Sequence, residues 1–245
     1  KYVQLLQKVS GLAGVKKVFV RSGVRFDYAM MDDGGGFLPE LVREHVSGQL
    51  KVAPEHISDN VLCCMGKPSQ AVFDAFCEQY AALNRKWGLK QYLVPYLMSS
   101  HPGSRLEDAV ALACYLKSHH LHPEQVQDFY PTPGTISTAM YYTGLDPVSG
   151  KPVYVARSPE EKAQQRALLQ FFRPQNYEKV RAALLAAGRP DLIGSGSECL
   201  VPAAPGQRRT TQGRRPDTRK KTELRAQRAA SRPPKHGGRP APKKP

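Results

Sequence analysis

Residues 49–100 read QLKVAPEHISDNVLCCMGKPSQAVFDAFCEQYAALNRKWGLKQYLVPYLMSS, and this stretch decides the fold class. QLKVAPEHI has the short apolar character of a buried strand, and LKQYLVPYLMSS repeats it. Between them, SQAVFDAFCEQYAALNRKWG over 69–88 places Val72, Phe73, Phe76, Tyr80 and Leu83 on one helical face and stops at Gly88. Strands joined through a helix of that length pair in parallel with a right-handed crossover. The same unit recurs on either side. Upstream, GVKKVFVRSGVRFDY (14–28) reads as a strand, followed by a glycine-rich turn over 32–36 and the amphipathic FLPELVREHVSG. Downstream, Ser104-Arg105-Leu106-Glu107 reads as a capping box opening LEDAVALACYLKS, and PEQVQDFY supplies a fourth strand.

The expectation is an α/β fold whose parallel sheet is covered by helices on both faces. Four strands and three crossovers are too few to close an eight-stranded barrel, leaving a small open sheet or part of a larger barrel. The helical period of Tyr2, Leu5, Leu6 and Val9, directly after a first residue that is Lys1, favours the latter. Beyond Thr135 the periodicity lapses into a glycine- and proline-rich stretch. At Ser158-Pro159-Glu160-Glu161 a capped helix begins and runs through Phe172, and NYEKVRAALLAAG ends at Gly188. Order is expected to end near Cys199.

The chain carries 36 Lys+Arg against 21 Asp+Glu, a formal charge of +15. Residues 201–245 hold 14 of the bases and only Asp217 and Glu223 as acids, leaving 22 bases against 19 acids for residues 1–200. The basic character therefore belongs to the tail. With 8 of the 21 prolines and no aromatic residue, the tail has too little apolar surface to offset the entropy of ordering. Its clusters fit nonspecific, salt-sensitive binding of nucleic acid, and equally a solvating appendage; without aromatics there is no platform for stacking bases. No run of about 18 apolar residues is present, so no membrane-spanning helix is expected. The five cysteines are odd in number and show no CxxC spacing, which argues against a disulfide framework or zinc site and for a reducing, cytoplasmic location.

Parallel α/β folds bind ligands at the carboxyl ends of their strands, and here those ends are polar. They are Arg21, Ser22 and Arg25 after the first strand; Glu55 and His56 after the second; Ser99, Ser100 and His101 after the third; and Tyr130 and Thr132 after the fourth. Ser58, Ser100 and Ser104 read equally as helix caps. Asp128 is the acid expected to face the interior, where burial would suit it to proton transfer; holding the PTPGT turn explains it as well. His119, His120 and His122 form HHxH but close a helix, where imidazoles suit the terminal carbonyls better than a metal. Asp32 and Asp33 read as a solvated turn. No metal ligands are assigned.

The strings LKVAPEHISDNVLCCMGKP, YLVPYLMSSHPGSRLED, PEQVQDFYPTPGTISTAMYYTGLDPVSGKPVYVARSPEEKAQQRALLQFFRP and GRPDLIGSG resemble the C-terminal half of the YgiQ family of radical S-adenosylmethionine proteins. The resemblance covers roughly residues 1–200. It implies the C-terminal half of a partial (β/α)6 barrel over 1–135 and a helical extension over 136–200, ahead of the basic tail over 201–245. It also implies a [4Fe-4S] cluster and S-adenosylmethionine as cofactors, with a 5'-deoxyadenosyl radical abstracting hydrogen from a substrate of unknown class. This chain has no CxxxCxxC, so the cluster ligands are not expected within it. By position, the resemblance implies that Arg21, Ser22 and Arg25 meet the ribose or methionine carboxylate. Glu55 and His56 would approach the adenosine, and Ser99 and Ser100 would border the adenine. The alternative from a different class is a noncatalytic RNA- or ribosome-associated module acting through the tail.

Overall fold

β1 (Gln49–Glu55) pairs in parallel with β2 (Tyr92–Ser99), and β2 pairs in parallel with β3 (Val126–Asp128), in sheet order β1-β2-β3. This is a computed structural model, and it describes residues 1–32 and 34–204. The tail over 205–245, with its expected nucleic-acid role, and Asp33 lie outside the described residues.

The crossovers are those the sequence dictates. α4 (Asp59–Met65) and α5 (Gln70–Trp87) link β1 to β2, and α5 ends at Gly88, whose φ of 63° is the left-handed stop that glycine adopts without penalty. α6 (Leu106–Ser118) links β2 to β3. Its cap stands one residue later than the box reading implies: the Asp108 carboxylate accepts from the Arg105 N–H at 2.9 Å, while the Ser104 hydroxyl turns inward to Gln165. Before β1 come α1 (Tyr2–Ser10), α2 (Phe26–Met30) and α3 (Phe37–Glu44). After β3 come α7 (Ile136–Thr143), α8 (Pro159–Leu169) and α9 (Tyr177–Ala186). α8 starts as read: Ser158 Oγ accepts from the Glu161 N–H at 3.0 Å and Pro159 occupies the first turn. α7 lies where no helix was expected, opened by Thr135 Oγ1 accepting from the Thr138 N–H.

Two expectations are corrected. The strand over 14–28 is not formed. That segment runs beside β1 through one bridge, Val24 to Val52, and the Val20 and Val24 amides donate to His45 and Lys51 carbonyls before the chain turns into α2. Ahead of α2, only Val18, Val20 and Val24 of it join the core, and Gly23 with Lys16, Lys17 and Arg21 gives the rest of that stretch little to bury. The sheet is also not buried on both faces. Leu50, Val52, Leu97 and Val126 share one face by register and alternation, and both apolar clusters build on it. Leu41, Phe73 and Phe76 pack at the β1 end, and Leu112, Leu116, Leu168 and Leu184 at the β3 end. Each fully buried Leu or Phe contributes roughly 1.5–3 kcal/mol. On the opposite face Lys51 and Gln127 are exposed while Val94, Tyr96 and Met98 are half-buried. α8 and α9 share the cluster of α6, β2 and β3, and α8 packs directly onto β2 and β3.

Candidate functional site

All three strands end on one edge, and there the backbone is strained. Glu55 (φ 65°) and Ser100 (φ 61°) are two of the three non-glycine residues with positive φ among the described residues, and they terminate β1 and β2. A left-handed non-glycine residue costs about 1–2 kcal/mol, and such residues gather where side chains must be aimed. The sheet register also slips between Val52 and Glu55.

At the β1 tip, burial raises the Glu55 carboxyl above its ordinary range, and Lys67 at 3.7 Å works against that rise. Lys67 is held there by donating to the Ala53 carbonyl at 2.8 Å. His56 is buried; its Nδ1 accepts from the Ser58 N–H at 3.0 Å, and burial pushes its pKa down to about 4, so the ring is neutral at physiological pH. Ser58 precedes α4 without a side-chain capping bond.

At the β2 tip, Ser99 donates to Asp128 Oδ1 at 2.5 Å, joining the β2 and β3 ends. The Ser100 amide donates to Gln165 Oε1 at 3.1 Å, and its buried hydroxyl has no partner among the described residues. Gln165, on α8 and fully buried, also accepts from the Ser104 hydroxyl and donates to the Ser104 carbonyl and Glu161 Oε1. Tyr154 donates to the same Glu161 carboxylate, so one buried network ties α8 to the β2 tip. His101, also buried, places Nδ1 2.8 Å from the Pro102 carbonyl and Nε2 2.8 Å from the Ser137 hydroxyl. Burial lowers its pKa below the ordinary histidine value.

Asp128 does not face the interior as expected. It shares the helix-side face with Val126, its side chain is 48% exposed, and Arg166 of α8 pairs with it at 2.7 Å. The charged partner that α8 supplies fixes this orientation, and no residue before Asp128 announces it. Arg21 and Ser22 are exposed. Arg25 engages Asp27 through two hydrogen bonds and lies 4.4 Å from the Tyr28 ring, so its charge is answered locally and the Asp27 carboxyl is held below its usual range. Ser22 and Arg25 border a cleft of about 980 Å³ along the outer edge of the 20–25 segment. The structure thus groups Glu55, His56, Ser99, Ser100 and Asp128 on one sheet edge, with the Arg21–Arg25 segment alongside β1.

Sequence reasoning missed Lys67, Ser137, Glu161, Gln165 and Arg166. For Gln165 a signal existed: it lies at helical spacing with Leu168 and Leu169 on the buried stripe of α8, where a polar side chain needs a partner. Of the HHxH histidines, His119 stacks on Tyr115 and His122 lies edge-to-face with Phe172. Among the described residues no three His, Cys, Asp or Glu side chains are grouped as metal ligands. Cys63 is exposed, Cys64 packs beside Gly103, and burial pushes the Cys77 thiol up to about 12. No described helix is long and apolar enough to cross a membrane.

Comparison with known proteins adds lineage to this geometry. A UPF0313 protein of Clostridium perfringens (strain 13 / Type A) is 58% identical over 201 residues, covering 82% of this chain and 30% of the relative. A UPF0313 protein of Clostridium botulinum (strain 657 / Type Ba4) is 56% identical over 202 residues, covering 82% and 32%. Over those residues the chain is similar to UPF0313 proteins. UPF0313 is the YgiQ-type family, in agreement with the resemblance carried by the strand-end motifs. A domain family described as "Domain of unknown function (DUF3362)" matches residues 124–241. The chain spans about a third of the length of these UPF0313 relatives.

Proposed function

We propose that this chain is the C-terminal portion of a radical S-adenosylmethionine iron-sulfur enzyme, lending cofactor- and substrate-side strand ends to a partial (β/α)6 barrel. The observation that carries this reading is the convergence of Glu55, His56, Ser99 and Ser100 on the carboxyl edge of a parallel sheet, with strained backbone at two of them. The open sheet face bearing Val94, Tyr96 and Met98 suits a barrel lumen.

The cofactors fit unequally. The described cysteines are scattered over α4, α5, α6 and the 199 turn, so this chain does not hold the cluster and no step is assigned to it. S-adenosylmethionine fits the strand ends: the buried Ser100 hydroxyl lacks a partner, and Glu55 is a half-desolvated carboxylate suited to an ammonium or ribose hydroxyl. Glu55, Ser100, Ser22 and Arg25 are the residues to hold it. Bound beside a reduced iron-sulfur cluster, it would supply hydrogen-atom abstraction. The chain's own part is to orient and to exclude water: Lys67 tunes Glu55, neutral His56 walls the edge, and Gln165 fixes Ser100.

The test uses the complete protein purified without oxygen: iron and sulfide content, then 5'-deoxyadenosine formation with dithionite. About four irons per chain, with product formation reduced at least 10-fold in Glu55→Gln, would support the reading. An iron-free protein under conditions that reconstitute other radical enzymes would overturn it.

A further inference from the structure

The β2 tip carries a second constellation that the radical reading leaves unused. A backbone carbonyl can only accept, so the 2.8 Å contact between His101 Nδ1 and the Pro102 carbonyl places the ring proton on Nδ1. In the neutral ring Nε2 is then a lone pair, and it faces the Ser137 hydroxyl at 2.8 Å. Burial keeps this imidazole neutral, and the Phe129 ring, edge-on at 5.0 Å, fixes its plane. A backbone carbonyl here does what a carboxylate does in triads: it sets the tautomer and aims the base.

Ser137 is more than a partner for a buried histidine, because its other side is open. It is half-buried and borders a cavity of about 640 Å³ between α4, α7 and the 146–153 hairpin, within the size range of small-ligand sites. Met65, Ile136, Met140, Val148 and Val153 make the wall mostly apolar, and Lys151 contributes the one ammonium group among the lining residues. Ser137 stands in the first turn of the eight-residue α7, whose opening amides have no intrahelical acceptor. Thr135 Oγ1 takes that of Thr138, which leaves the Ile136 and Ser137 amides for an oxyanion. Nucleophile, oriented base and a mostly apolar cavity therefore meet at Ser137, on the opening turn of α7.

We propose that Ser137 and His101 are a nucleophile–base dyad that hydrolyses apolar acyl esters bound in this cavity. Ser137 Oγ adds to the ester carbonyl as its proton passes to His101 Nε2. The ester C–O bond breaks, and the alcohol leaves with that proton. Water then attacks the acyl–Ser137 ester, with His101 taking one proton from water and returning it to Oγ as the acid departs. The balance is ester and water to acid and alcohol, with no redox partner. This site is independent of the radical chemistry and stands or falls separately from it.

The complete protein, treated with a fluorophosphonate probe and mapped by mass spectrometry, should carry a single adduct on Ser137. It should also hydrolyse p-nitrophenyl butyrate. Ser137→Ala should lose both, and His101→Gln should slow adduct formation about 100-fold or more, the effect of removing a positioned general base. Absence of an adduct on Ser137 in the wild-type protein would overturn the proposal, as would labelling of His101→Gln at the wild-type rate. Because wild-type mapping decides the first point alone, failure of Ser137→Ala to fold does not rescue the idea.

Discussion

Acidification should loosen this fold through His56 in a way one substitution can isolate. The ring is 2% exposed and accepts from the Ser58 N–H, and its pKa falls from the ordinary 6.5 to about 4 because burial disfavours the cation. The unfolded chain therefore binds a proton near pH 6.5 while the native chain resists until about 4. Native stability is full above the unfolded value and is lost as pH drops toward the folded one. The whole difference is worth about 3 kcal/mol, and the part lost between pH 7 and 5 is about 2 kcal/mol. His101, also lowered by burial, adds loss of the same sign. Glu55 acts oppositely: its folded value is raised, so protonation on acidification relieves a native penalty. His56→Asn keeps an acceptor for the Ser58 N–H and removes the titration. Urea unfolding at pH 7 and 5 should show the wild type losing about 2 kcal/mol more than His56→Asn, roughly a 1 M difference in midpoint shift. Equal pH dependence of the two proteins, within about 0.5 kcal/mol of measurement error, would refute the assignment.

Gly103→Ala should destabilise by about 2–4 kcal/mol in thermal or urea unfolding, since its φ is +95° and a Cβ would stand 2.9 Å from Cys64 Sγ. Gln165→Leu strands the buried Ser100 amide and Ser104 hydroxyl; a loss of about 3 kcal/mol and faster hydrogen exchange at Ser100 are expected, and unchanged exchange would count against the clamp. Lys67→Met removes the cation that restrains Glu55, so an NMR titration of the Glu55 carboxyl should move further upward. Alkylation at pH 8 should modify exposed Cys63 first and Cys77 last, its thiol being pushed to about 12.

How much of this was legible beforehand varies with the range of the interaction. The helix over 70–87, its glycine stop, and the Ser158–Pro159 start were readable because capping and amphipathic period are local. The 14–28 segment was not, because its composition is strand-like while strand formation depends on the neighbours a segment finds, and only Val24 bridges. α7 was hidden by the glycines and prolines on either side of eight ordinary residues. Among the candidate residues, Glu55, His56, Ser99 and Ser100 stand at the strand ends as read, since position along the chain suffices to place them there. It misjudged Asp128, whose orientation is set by Arg166 from 38 residues away.

The sequence by itself determined the α/β class, the parallel order, and the polar strand ends, because periodicity, caps and crossover length are properties of contiguous residues. Only the tertiary structure decided what those ends are bonded to. Gln165 seated on Ser100, Lys67 beside Glu55 and Ser137 against His101 each join segments 12 to 65 residues apart. Such pairs are fixed by burial, where an unmatched polar group costs about 1–3 kcal/mol and so selects the one packing that matches it. A linear reading carries no term for that cost.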